Sequence, residues 1–130
     1  MKYLKTYEAL QGITFKDWLK KNPQPIDETD IDCYNQNLID LEGIQDFKNL
    51  QEIYCHGNKL TSLDLEGLDK LQILWCEHNQ LTSLNLEGLD KLEYLSCRGN
   101  QLPYTNLEGY WKWYEKEYPD RWEAMKFNLM

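Results

Sequence analysis

"LTSLDLEGLDKLQILWCEHNQ", residues 60–80, is followed without a gap by "LTSLNLEGLDKLEYLSCRGNQ", residues 81–101, and 15 of the 21 positions are identical. A unit that recurs at so short a period cannot bury its apolar side alone. Copies must stack on one another to enclose a continuous core. Counting from the cysteine extends the frame to Cys33, Cys55, Cys76 and Cys97, spaced 22, 21 and 21 residues. Two residues before them stand Ile31, Ile53, Leu74 and Leu95; five after stand Leu38, Leu60, Leu81 and Leu102. Three after stand Asn58, Asn79 and Asn100, with Gln36 in the first copy. Residues 38–59 form a copy one residue longer, in which Leu41, Ile44, Phe47, Leu50 and Ile53 keep a three-residue apolar step.

This pattern, L-x-x-L-x-C-x-x-N-x-L, resembles the leucine-rich repeat, with cysteine where leucine is usual. Within that class it is similar to bacterial internalin-type repeats that carry a stacked cysteine ladder. The resemblance runs from Ile31 to Leu107. It implies an α/β fold: a short solenoid, bent as a right-handed horseshoe, with a parallel β-sheet on the concave face. The convex side would be loops and 3-10 turns, with helical caps at both ends. The expected organisation is a single domain over 1–130, with an N-terminal cap at 1–30, about four coils at 31–107 and a C-terminal cap at 108–130. Segments such as "ILWCE" become strands about 4.8 Å apart. The asparagine amides are expected to bond loop backbone groups that would otherwise be buried unpaired. Gln36, and Glu28 in place of the leucine found at 50, 71 and 92, mark coil one as a terminal coil partly open to solvent.

The cysteines invite a disulfide framework, a zinc site or a reactive thiolate. Side chains stacked in register give poor disulfide geometry. Zinc sites use close pairs such as C-x-x-C, which are missing here. A reactive thiolate needs an electropositive, partly exposed site, whereas these residues share the inward period of the leucines. We expect four free, buried thiols that react slowly until the protein unfolds. No metal or cofactor is expected.

Both ends read as helical caps. Thr14 is the expected N-cap of a helix in "GITFKDWLKKNP", with Asp17 three residues on, Ile13 and Trp18 placed for a hydrophobic staple, and Pro23 as the stop. An earlier helical turn is expected between Lys2 and Leu10. In "GYWKWYEKEYPDRWEAMKFNLM", Trp111, Tyr114, Tyr118, Trp122 and Met125 recur at helical steps. This stripe reads as a cap packed on the last coil, or else as an aromatic patch for a partner. Pro119 should kink the helix or begin a second one, and Trp113 lies off the stripe, where exposure is expected.

Alternation along a strand aims the residues one before, one after and three before each cysteine away from the core. The concave face is then Asp30, Asp32 and Tyr34 on coil one, and Glu52, Tyr54 and His56 on coil two. Coil three adds Ile73, Trp75 and Glu77, with His78 at the strand exit; coil four adds Tyr94, Ser96 and Arg98. The two near-identical repeats differ at six places, and four of them, 73/94, 75/96, 77/98 and 78/99, lie on or beside this face. Tyr34, Tyr54, Trp75 and Tyr94 are expected to form an aromatic centre beside acidic residues, as binding hot spots do. The alternative is cross-strand packing alone.

The net charge of −8, from 22 acidic and 14 basic residues, argues against nucleic acid and suits a basic protein partner. It also serves plain solubility. No apolar run approaches the roughly 18 residues of a membrane span, and the start, "MKYLKTYEALQGITF", lacks the unbroken apolar stretch of a signal peptide. A cytoplasmic monomer is expected. His56, Glu77 and His78 are the candidates for a metal, but no phosphate loop, nucleophile elbow or paired-carboxylate motif accompanies them, so an enzyme is not expected. The expected function is a non-catalytic protein-binding module, in one form a bacterial immunity or inhibitor protein for a basic toxin. A structural or cell-surface adhesive module is the alternative that the internalin resemblance implies.

Overall fold

A computed structural model describes residues 11–129, with side chains to Phe127. The helical turn expected between Lys2 and Leu10 lies outside the described residues. Helix α1, Phe15–Lys21, opens on Thr14, whose Oγ1 accepts from the Asp17 amide at 3.1 Å, and it closes at Asn22, before Pro23. Phe15 and Trp18 stack at 5.7 Å between ring centroids and are buried. Ile13 packs partly buried against the core, and its backbone forms a parallel bridge with Leu38. The first cap is thereby stitched to coil one, and Trp18 Nε1 donates to Gln36 Oε1 at 3.2 Å. The departure from asparagine at position 36 thus serves the junction with the cap.

Four short strands follow: β1 (Asp30–Asp32), β2 (Glu52–Tyr54), β3 (Ile73–Trp75) and β4 (Tyr94–Ser96). They form one parallel sheet in the order β1-β2-β3-β4, and Ile31, Ile53, Leu74 and Leu95 lie in a single register row. The strands stop one residue before each cysteine. The ladder nonetheless continues, with Cys33 N donating to Tyr54 O, Cys55 N to Trp75 O and Cys76 N to Ser96 O, all at 2.8–2.9 Å. The edge of β4 is covered by an antiparallel bridge between Ser96 and Asn106, and Cys97 N donates to Thr105 O at 3.0 Å. This closes an edge that would otherwise offer unpaired backbone groups.

The three-residue apolar step on the convex side makes turns. Leu68 N donates to Leu65 O, and Leu71 N to Leu68 O, with matching bonds from Leu89 and Leu92 one coil on. Among the described residues, only Ile44–Asp46 is a 3-10 helix. Asp64 Oδ1 accepts from the Glu66 amide and Asn85 Oδ1 from that of Glu87, so the 64/85 difference between the repeats leaves the turn unchanged. Inside, the leucines at 60, 65, 68, 71, 74 and 81 are at most 2% exposed, each contributing about 1.5–3 kcal/mol of transfer free energy.

All four cysteines are free and buried. Burial pushes the Cys33 thiol up to about 12 and the Cys97 thiol to about 11, and it raises Cys55 and Cys76 as well. Their carbonyls are bridged by the asparagines. Asn79 Nδ2 donates to Cys55 O and Cys76 O at 3.1 Å each, and its Oδ1 accepts from the Leu60 amide at 3.0 Å. Asn58 spans Cys33 O and Cys55 O, and Asn100 spans Cys76 O and Cys97 O, in the same way. Each amide therefore ties two successive coils together.

Helix α2, Leu107–Glu117, is capped by Asn106 Oδ1, which accepts from the Gly109 amide at 2.8 Å; α3, Pro119–Leu129, begins at Pro119. Most of the aromatic stripe packs on the core: Tyr114 is buried and Trp111, Trp122 and Met125 lie partly buried against it, whereas Tyr118 is 40% exposed. Tyr104 and Tyr110, off the stripe, are buried beside them. Trp113, expected outside, is half-buried, its ring centroid 5.2 Å from that of Tyr104 and 5.8 Å from that of Tyr110.

Candidate functional site

The register rows bring the outward side chains into three columns across the sheet. Asp30, Glu52, Ile73 and Tyr94 form one, and Asp32, Tyr54, Trp75 and Ser96 the next. Tyr34, His56, Glu77 and Arg98, each just past its cysteine, form the third. The face is uneven. At its coil-four end, Arg98 Nε donates to Glu77 Oε2 at 2.9 Å. The Glu77 carboxyl is held below its ordinary pKa, first by a hydrogen bond from Ser96 and then by Arg98. At the other end, β1 and β2 contribute three carboxylates and no basic side chain. The Asp30 carboxyl is pushed up by partial burial and by Glu52 beside it. Tyr54 Oη donates to Glu52 Oε1 at 3.0 Å, which fixes the ring.

The aromatic centre differs in membership from the sequence expectation. Tyr34 and His56 stack with ring centroids 4.8 Å apart and planes 3° off parallel. Tyr54 meets Trp75 edge-on at 4.9 Å, and His56 lies 6.0 Å from Trp75. His56 thus joins the cluster, while Tyr94, 62% exposed, stacks on none of these rings among the described residues. The reason is spacing: Trp75 has Tyr54 on one side and the small Ser96 on the other. Asp32, Tyr34, Tyr54, His56 and Trp75 line an open hollow of about 540 Å³.

His56, Glu77 and His78 do not converge. His78 stands in the left-handed turn, at φ +54°, and its ring lies over Gly99 of the next coil. Asn35 covers Gly57 in the same manner. Among the described residues, no group of three or more His, Cys, Asp or Glu side chains could hold a metal ion, and no helix is long and apolar enough to cross a membrane.

The family profile described as Leucine Rich Repeat matches residues 49–71. A solved structure titled "Functional domain of InlJ from Listeria monocytogenes includes a cysteine ladder" is 36% identical, with a TM-score of 0.58 over 62% of this chain. With the stacked cysteines and the parallel sheet, this decides the class. The chain is an internalin-like leucine-rich repeat protein. It spans 18% of the length of the InlJ structure. None of the curated proteins matches it. Leucine-rich repeat domains generally mediate protein–protein interaction and are typically non-catalytic.

Proposed function

We propose that this leucine-rich repeat chain is a binding module, without catalysis, that holds a basic protein on its concave face. One observation carries the reading. The outward columns place Tyr34 and Trp75, 44% and 43% exposed, beside Asp30, Asp32 and Glu52, where none of them is needed by the core. Aromatic rings with one polar handle bury much area at little entropic cost, and carboxylates beside them select a cationic partner. In its finer form the chain is a cytoplasmic, monomeric immunity or inhibitor protein that covers the active site of a basic toxin, a nuclease for example. The net charge of −8 would steer that association.

The test is affinity capture from the cells that make the chain, with Tyr54, Trp75 and Tyr94 replaced together by alanine. Capture should fall at least about tenfold, as it does when hot-spot rings are truncated, with the melting temperature little changed. Lost stability with intact capture would assign the rings to cross-strand packing. The internalin likeness favours a second reading, a cell-surface adhesive module. Fractionation that finds the chain at the cell surface, with no basic protein captured, would favour it over the first.

A further inference from the structure

The hollow over coils one to three is more specific than a general binding face. The rings pair with their neighbours, and with Asp32 they line an open hollow of about 540 Å³. Four aromatic rings line it, Tyr34 stacked on His56 and Trp75 edge-on to Tyr54. Its rim is Asp32, and the adjoining Asp30 and Glu52 crowd one another.

An apolar anchor seated here would desolvate the Asp32 carboxylate without pairing it, which is costly. An anion would be repelled. A cation satisfies both parts of the site, because aromatic faces attract positive charge and the carboxylate completes the pair. Of the two long cationic side chains, lysine carries a compact, strongly hydrated charge. Arginine carries a flat, weakly hydrated guanidinium that stacks on rings and forks onto a carboxylate.

We infer that the hollow lined by Asp32, Tyr34, Tyr54, His56 and Trp75 receives one arginine side chain of the partner. Its guanidinium lies against the rings and donates to Asp32. This rests on the concave-face reading and narrows it to one residue type at one place.

The probe is Nα-acetyl-arginine amide, titrated into the full chain. The readout is the NMR signal of the Trp75 indole N–H, assigned with Trp75→Phe. The other four tryptophans lie outside the hollow and serve as internal controls. The Trp75 signal should shift and saturate. The citrulline amide, a neutral analogue of the same shape, should bind about tenfold more weakly or not at all. The lysine amide should also be weaker, and Asp32→Asn should weaken arginine binding about three- to tenfold. Equal binding of citrulline or lysine, no saturable shift at Trp75, or full binding by Asp32→Asn would each overturn the assignment. The comparison of the three amides needs no variant, so a folding defect in Asp32→Asn cannot mask it. A chain that loses capture in the triple alanine variant yet ignores the arginine amide keeps the concave-face reading and loses this one. A chain that takes the amide while capture survives the triple change keeps the hollow and loses the wider reading.

Discussion

At the scale of single residues, the turn that leaves each strand sets the tightest constraint. Asn35, Gly57, His78 and Gly99 occupy the same position in successive coils, all with positive φ. They alternate because each side chain fills the space that the next glycine leaves open. A Cβ on Gly99 would run into His78 Nδ1, and φ at Gly99 is +74°. Gly99→Ala therefore meets two separate penalties. The left-handed backbone costs about 1–2 kcal/mol, and displacing the imidazole adds to it. In a His78→Gly background the second part is absent, so Gly99→Ala should cost less there, with a coupling of about 0.5–1 kcal/mol. Urea melts of the four proteins measure this. Strict additivity would show that the ring moves aside freely and that the alternation has no packing role.

At the scale of elements, the repeats were legible because their apolar positions recur at a fixed period that only stacking can satisfy. Ile31, Ile53, Leu74 and Leu95 fall in one row, as the count from the cysteines predicts. The outward positions follow by alternation, but their grouping does not. That His56 and not Tyr94 completes the ring cluster depends on the size of Ser96 and on rotamers, which no period encodes. The C-terminal cap was less legible for a related reason. Helical spacing shows the stripe that packs, but not the two tyrosines beside it that meet backbone groups of the last coils. Tyr110, 1% exposed, accepts from the Leu86 amide at 3.2 Å, and Tyr104 donates to Leu84 O at 3.3 Å. Tyr110→Phe should thus cost about 1–3 kcal/mol, because the Leu86 N–H stays buried without its acceptor. Tyr110→Ala should cost about 3–5 kcal/mol. Tyr118→Ala, on the more exposed side, should cost much less. Thermal melts give the ranking, and a larger loss at Tyr118 than at Tyr110 would contradict this docking of the cap.

At the scale of the whole molecule, the question is whether four coils open one at a time or together. Each coil touches only its neighbours, so a long solenoid can unfold piecemeal. Here both ends of the stack are stitched down, by Ile13 and Trp18 on coil one and by Thr105 and Asn106 on coil four. The asparagine amides cross every junction between coils, so parting any one of them takes the acceptor from the Leu38, Leu60 or Leu81 amide, at about 1–3 kcal/mol each. Opening one coil also exposes the buried leucines of the junction it leaves, and these losses together offset the chain entropy released. The buried thiols report on this directly, because each cysteine belongs to one coil and none reacts well while covered. Through the urea transition, a short pulse of a thiol reagent followed by intact-mass measurement should give two populations, unmodified chain and chain with four adducts. Native protein should label slowly under the same pulse. A substantial population with one or two adducts, especially on Cys33 or Cys97, would mean that the end coils open independently and that the amide bridges do not couple the stack.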